Sequence, residues 1–438
     1  MAFYVNLGYK FTLPNKSGTE LMPDGCIILA SAMPAHQLER RKDLSIKYPH
    51  MRRRLFDPQL YLAELDANQS PTPCAKLASY PWFGVNRLSE YISSQQNQKQ
   101  WMTLAEKKIS EFWPRKTPED PTFIRHVVAD CIEFQRRLGC RAVILPSPLT
   151  TDPNTNYEIE LFWLDVGLEY VKQSGIDLPV IATIALADIC LYYTDPRNNN
   201  LLEMIVDVIS ARGVGGVYIV LEQGREPTET RQCSSTRALH SILHLVHIFS
   251  HDANLWVAVN FLGQFGLACE AAGAKIWASE WYKSLYRLRL PDKIGGGPAR
   301  PSYWSYYAAV DVNLRSDYDR LNKAGIIAKL ADHTDASTGL LFSTRGGQKC
   351  ETVPEWAYRP NNVQLAREHF LRSSIEAERM LLGCEEEQRL DFVEDWLQRA
   401  AQLTAEIEAV LGNDRQTSTI HVQVWLDAFR RYRADHKV

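Results

Sequence analysis

Arg141–Pro146 (RAVILP), Pro179–Ile184 (PVIATI), Gly216–Leu221 (GVYIVL), Leu255–Asn260 (LWVAVN) and Lys275–Ser279 (KIWAS) are five short apolar runs in the middle of a 438-residue chain. The first four recur at a nearly constant interval, starting at positions 141, 179, 216 and 255, and each run ends in polar residues. The gaps at about 158–173, 200–211 and 236–250 carry apolar residues at helical spacing, and a shorter pattern covers 265–272. Gly175, Gly213 and Gly273 follow three of these patterns and supply the left-handed residue that closes a helix. Short buried strands alternating with helices predict an α/β protein around a parallel sheet, most simply a (β/α)8 TIM-like barrel. In such a barrel the functional residues lie at the carboxyl ends of the strands.

Outward from this core the pattern weakens. Residues 1–50 hold strand-like pieces at Phe3–Leu7 and Cys26–Ala30 and a turn at Pro23-Asp24-Gly25, and they read as an N-terminal β-rich cap. The barrel is expected over residues 51–350. A first strand ends at Asp57, because Pro58 bars a central strand from continuing. Lys76–Phe83 is a candidate second strand and Tyr306–Val312 a candidate eighth. Residues 86–139 form a helical insertion, with Thr117-Pro-Glu-Asp120 resembling a helix start. Residues 355–438 contain three helical patterns with no strand between them, a helical C-terminal extension.

Bulk properties narrow the class. The composition is 45% hydrophobic and 23% charged, as in an ordinary globular protein. A net charge of −3 provides no global field for nucleic acid or an anionic membrane. The nine cysteines are scattered without a C-x-x-C, so neither a disulfide framework nor a zinc-finger spacing is expected. No apolar run of membrane-spanning length and no leader pattern occurs, so no membrane association and a cytoplasmic location are expected. No cofactor and no metal are expected.

The strand ends offer Asp57, Ser147, Thr183, Glu222, Gln223, Asn260, Ser279 and Glu280. Glu222 and Glu280 come from different strands and can divide acid, base or nucleophile roles across a barrel mouth, which makes them the catalytic candidates. Each also suits loop capping or pairing with an arginine. Asp57, Asn260, Ser279, Trp281, Lys283 and Arg287 are candidates for holding a substrate. Lys293, Gly295, Gly296, Gly297 and Arg300 form a glycine-rich, basic loop suited to an anion.

The most distinctive segment is Gly263–Arg287 (GQFGLACEAAGAKIWASEWYKSLYR). Together with Gly215-Gly216-Val-Tyr-Ile-Val-Leu-Glu222, it resembles the late barrel of the tRNA-guanine transglycosylase superfamily. In that family a Gly-Gly strand ends in Gly-Glu, a Gly-containing strand end follows, and an Asp nucleophile then precedes an Arg. Gly263 and Glu280…Arg287 stand in comparable order, so the resemblance spans positions 215 to about 290. It implies a (β/α)8 enzyme that exchanges a base at a glycosidic bond, with a nucleotide-like or nucleic-acid substrate. The chain departs from the pattern in three ways: Glu280 stands for the Asp, the Cys-x-Cys-x-x-Cys…His zinc site is missing, and so is an Asp-Ser-Gly-Gly-Phe-Gln-like base pocket.

His240, His244, His247 and His251 share one face of a helix, opposite Ile242, Leu243, Leu245, Val246 and Phe249. They are expected to point away from the sheet, onto solvent or a partner. Two functions follow. One is a barrel enzyme acting on a nucleotide-like or glycosidic substrate. The other is a non-catalytic barrel in a multiprotein assembly, using the histidine face and the C-terminal helices as interfaces.

Overall fold

Eight segments that are buried on both faces form one parallel sheet, as parallel sheets covered by helices require. The computed structural model describes residues 1–8, 12–14, 22–41, 44–94, 101–114, 117–224, 232–282, 286–290, 302–332, 344–345, 348–349 and 360–438. The strands are β1 (Ala2–Leu7), β2 (Gly25–Leu29), β3 (Arg54–Asp57), β4 (Val143–Ile144), β5 (Val180–Ala187), β6 (Gly216–Glu222), β7 (Trp256–Asn260) and β8 (Ile276–Ser279). Their order is β3-β2-β1-β8-β7-β6-β5-β4, all parallel. The two ends meet where the Arg141 amide donates to the Arg54 carbonyl at 3.0 Å. The sheet is therefore a nearly closed (β/α)8 barrel.

The closing seam is short, and a side chain completes it. Gln135 is fully buried; its Oε1 accepts from the Ile144 amide at 2.9 Å and its Nε2 donates to the Ile144 carbonyl at 2.7 Å. Both polar groups of an otherwise under-paired strand residue are thus satisfied.

The helical layer follows from the capped, amphipathic segments between strands. They are α1 (Pro121–Arg137), α2 (Glu158–Ser174), α3 (Asn200–Ser210), α4 (Thr236–His247) and α5 (Gly266–Ala271). Asp120, Asn199 and Ser235 accept backbone N–H bonds at the starts of α1, α3 and α4. Three further helices close the chain: α6 (Pro360–Leu382), α7 (Arg389–Leu411) and α8 (Ile420–His436). No helix among the described residues is long and apolar enough to cross a membrane.

Helix α6 completes the ring of the barrel although a long stretch of chain separates it from β8. Arg367 lies 4.3 Å above the Tyr282 ring and Phe370 stacks on Tyr286 at 4.7 Å. Ser374 Oγ accepts from Gln264 at 2.6 Å, and Glu378 reaches the backbone of Phe3. The helix thus runs from beyond the end of β8 back to the start of β1. The interval contains an antiparallel hairpin, β9 (Ser302–Ser305) with β10 (Val310–Asn313). The hairpin anchors the C-terminal helices: His369 Nε2 meets the Trp304 carbonyl, Trp396 donates to Tyr306, and His421 Nε2 meets the Ala309 carbonyl.

Several sequence expectations change. Residues 1–50 are no cap; they supply β1 and β2, because both segments pair in register within the barrel sheet. The strand ending at Asp57 is consequently the third. Lys76–Phe83 is no strand: its residues fall in a helix ending at Leu77 and a 3-10 turn at Pro81–Phe83. Pro81 at the first position and the Tyr80–Trp82 aromatic packing favour that turn. Ile276–Ser279 is the eighth strand, and Tyr306–Val312 contributes only to the outer hairpin. The histidine face does point away from the sheet, but α8 of the same chain covers part of it.

One close approach makes a stability test. Gly216 opens β6 beside Trp256 of β7, and a Cβ there would lie 2.3 Å from the Trp256 carbonyl oxygen. The obstacle is backbone, which cannot swing aside. Gly216→Ala is expected to cost about 1–3 kcal/mol, read as a lower urea midpoint with an unchanged slope. A wild-type midpoint would contradict this strand spacing.

Candidate active site

Hydrogen bonds between strands that are not neighbours identify the residues facing the barrel interior. The Tyr218 hydroxyl (β6) donates to Asp57 Oδ2 (β3) at 2.8 Å, and Asn6 (β1) exchanges amide bonds with Asn260 (β7) at 2.6 and 3.1 Å. These pairs are not adjacent in the sheet, so their side chains cross its lumen. The two-residue period then puts Glu222 on the same side as Tyr218. Ala278 pairs with Asn260 and Tyr4, so continued alternation turns Glu280 inward. Ser279 pairs with Val5 and faces the helix layer, its buried hydroxyl unbonded among the described residues. This placement takes Ser279 out of the mouth, where it was expected to meet substrate.

The floor of the mouth is a closed polar network. Asp57 Oδ2 accepts from Tyr61 at 2.5 Å as well as from Tyr218, and its Oδ1 accepts from the Gln59 amide at 3.0 Å. Asn260 Nδ2 also donates to the Tyr218 hydroxyl at 2.6 Å, and Asn260 Oδ1 accepts from the Phe261 amide at 2.7 Å. Gln59 sits at a left-handed φ of 54° and uses its Oε1 to hold the Ser31 amide at 2.8 Å. Burial raises the Asp57 carboxyl to about 6, opposed by the hydrogen bonds from Tyr61, Tyr218 and Gln59. Asp57 and Asn260 were legible as strand ends. Asn6, Tyr61 and Tyr218 were missed; a single polar residue within the apolar run FYVNL was the available signal for Asn6.

Glu222 and Glu280 rise around this floor in different surroundings. Glu222 is buried, with its Oε1 accepting from the Leu290 amide at 2.8 Å. Burial lifts its carboxyl to about 7; Asp188 adds to the rise, while the Leu290 and Gly224 amides and Arg289 oppose it. The segment 286–290 lies along the ends of β6 and β7: Leu288 bridges to Glu222, Arg287 bridges to Leu262, and the Gln223 amide donates to the Leu288 carbonyl. Glu280 is completely buried, and among the described residues neither of its carboxylate oxygens makes a hydrogen bond by distance and angle. Burial drives it well above the ordinary carboxyl range, against the Gly8 amide and the Arg367 guanidinium, which favour its charged form.

Of the other candidates, Trp281 is buried with its ring 5.8 Å from that of Tyr282, and Arg287 is buried at its bridge to Leu262. Lys283, Lys293, Gly295, Gly296, Gly297 and Arg300 lie outside the described residues. Among the described residues, no group of three or more His, Cys, Asp or Glu is arranged to hold a metal ion.

Compared with known proteins, the chain matches no family model and no curated relative.

Proposed function

We propose that the chain is a (β/α)8-barrel enzyme that performs acid–base chemistry on a nucleotide-like or glycosidic substrate at the mouth built by Asp57, Glu222, Asn260 and Glu280. The observation that carries this reading is Glu280. A fully enclosed carboxyl whose oxygens make no aligned hydrogen bond among the described residues, with the Gly8 amide and the Arg367 charge only partly offsetting its burial, costs stability. Its place at the carboxyl end of β8 is where barrels keep reacting groups.

The environments suit divided roles. Glu280, held protonated by burial, is the proton donor. Glu222, poised near neutrality, takes the complementary role of base. The ionised Asp57 below them, held by two tyrosines, favours positive charge developing above it, as in breaking a glycosidic bond. The order of Gly216, Glu222, Gly263 and Glu280 along the chain supports the transglycosylase-like version. The assembly reading is weakened because α8 occupies much of the histidine face intended for a partner.

The test is a panel of nucleosides, nucleotides, RNA and aryl glycosides given to wild type, Glu222→Gln and Glu280→Gln. Each variant is expected to lose about 10²–10⁴-fold in turnover while remaining folded. The Glu222→Gln profile is expected to lose the limb near pH 7. No binding or turnover by wild type, or wild-type turnover by both variants, would overturn the assignment.

A further inference from the structure

We infer that the last two turns of α8 are an acid-sensitive latch, closed on α4 at neutral pH and released as a row of histidines becomes charged. This inference does not depend on the proposed chemistry at the mouth. Its basis is a chain of imidazoles across one helix–helix contact. His244 Nδ1 lies 3.0 Å from His436 Nε2, and His247 Nδ1 lies 3.0 Å from the Tyr432 hydroxyl. The His247 and His436 rings are 3.9 Å apart at 35°, and His247 and His251 are 4.6 Å apart. His251 Nε2 lies 3.3 Å from the Ala272 carbonyl. At the other end, His240 Nε2 and Asp435 Oδ2 approach to 2.9 Å without hydrogen-bond alignment.

This geometry tolerates few protons. A nitrogen-to-nitrogen contact such as His244–His436 holds one bridging proton, so charging both rings breaks it. Two imidazolium rings at the His247–His436 spacing repel directly. Among the described residues, the surrounding acids are too few and partly engaged. Asp435 also pairs with Arg197 at 3.0 Å, and Arg197 pairs with Asp195 at 3.1 Å. Asp252, at the end of the π-helical turn following α4, favours the charged forms of His247 and His436. Arg431 on α8 opposes charge on His240, while Arg433 is turned to Asp391 and Glu394 of α7.

The balance agrees with this count. Burial, then neighbouring histidines, lowers His244, His247 and His436, with His247 reaching about 4; burial also lowers His240 against the pull of Asp435 and Asp195. A histidine whose docked value lies below its free value of about 6.5 binds its proton better when undocked. Undocking therefore takes up protons. The latch is fully closed above about pH 6.5 and weakens as pH falls toward 4, by up to about tenfold per histidine per pH unit.

The test is hydrogen exchange by mass spectrometry on the full chain at pH 7.5, 6.0 and 5.0, corrected for intrinsic exchange. Peptides covering 430–438 are expected to lose at least about tenfold in protection between pH 7.5 and 5.0, while peptides covering β6 stay protected. A His247→Gln/His436→Gln variant that stays docked at pH 7.5 is expected to lose clearly less protection at pH 5.0 than wild type, because only His240 and His244 still take up protons on undocking. Should that variant undock at pH 7.5, histidine NMR titration of the wild type decides. Resonances of the latch are then expected to titrate below 6.5, together with the loss of protection. Unchanged wild-type protection at pH 5.0, equal loss in a docked variant, or independent titration at 6.5 would overturn the inference.

Discussion

Asp57→Ala is expected to destabilise the barrel by about 2–4 kcal/mol at neutral pH. The substitution removes the common acceptor of three donors: the Tyr61 and Tyr218 hydroxyls and the Gln59 amide. Tyr61, Tyr218 and Gln59 are all buried, and a buried donor left unmade costs about 1–3 kcal/mol. Part of the cost is offset because ionised Asp57 is itself penalised by burial. Its carboxyl stands at about 6 against an ordinary 3.8. A raised carboxyl contributes stability that is complete below the ordinary value and lost as pH rises through the raised one. For Asp57 that window is pH 4 to 7 and amounts to about 3 kcal/mol. Asp57→Asn keeps one acceptor for the tyrosines and removes the charge, so it is expected to be milder than Asp57→Ala at pH 7. Relative to wild type, the Asn variant is expected to improve steadily from pH 4 to 7. Urea unfolding of all three proteins across that range measures both statements. Equal stability of Asp57→Ala and wild type at pH 7 would remove the network from the account of the fold.

That network also marks how far the sequence could be read. The regular units from Arg141 to Ser279 were legible because each strand is an apolar run and most connections carry an amphipathic helical pattern. Pro58 correctly located the end of the strand at Asp57. The first two strands were misassigned because the segments after them carry no helical period, so the pattern of a βα unit was missing. Tyr306–Val312 misled in the opposite way. It alternates like a strand and is partly one, but its partner is β9 and not the barrel. The true last helix, α6, lies beyond the interval containing that hairpin, a displacement no local periodicity reveals.

At the mouth, a polar residue at a predicted strand end singled out Asp57, Glu222, Asn260 and Glu280. Which of them face the lumen depends on register between strands far apart in sequence. A single step along the chain separates Glu280, turned inward, from Ser279, turned outward. The histidine face was likewise readable as a face. Its cover was not, because Tyr432 and His436 stand 185 and 192 residues away from the histidines they meet.

The opposite end of the barrel contains the second large expected effect: Glu378→Gln is expected to stabilise the protein, by about 2–4 kcal/mol at pH 8 and by less than about 1 kcal/mol at pH 5. Among the described residues, Glu378, on α6, is buried with one carboxyl oxygen lacking an aligned hydrogen bond, and Glu270, on α5, is buried with both lacking one. Burial, then Glu270, then Asp24 raise Glu378 to about 9, against the Phe3 backbone. Glu270 is raised to about 8, chiefly by burial, although the amino terminus, the Trp277 side chain and Arg389 oppose the rise. Both carboxyls are thus folded as neutral acids, and Glu378 shares a hydrogen bond with Asp24. The sign follows directly. The unfolded chain ionises near 4.5, so the stability held by protonated Glu378 is complete below that value and lost as pH rises toward 9. Glutamine has the shape of the neutral acid and an N–H to offer Asp24, and it cannot ionise. The gain must therefore grow with pH. Release of the histidine latch at pH 5 affects wild type and variant alike and cancels in the difference. Glu270→Gln is expected to act in the same direction, and the double variant to gain less than the two together, because each carboxyl raises the cost of ionising the other. Urea midpoints at pH 5, 6.5 and 8 measure the trend. A gain independent of pH, or a loss at pH 8, would show that Glu378 is folded as an ion.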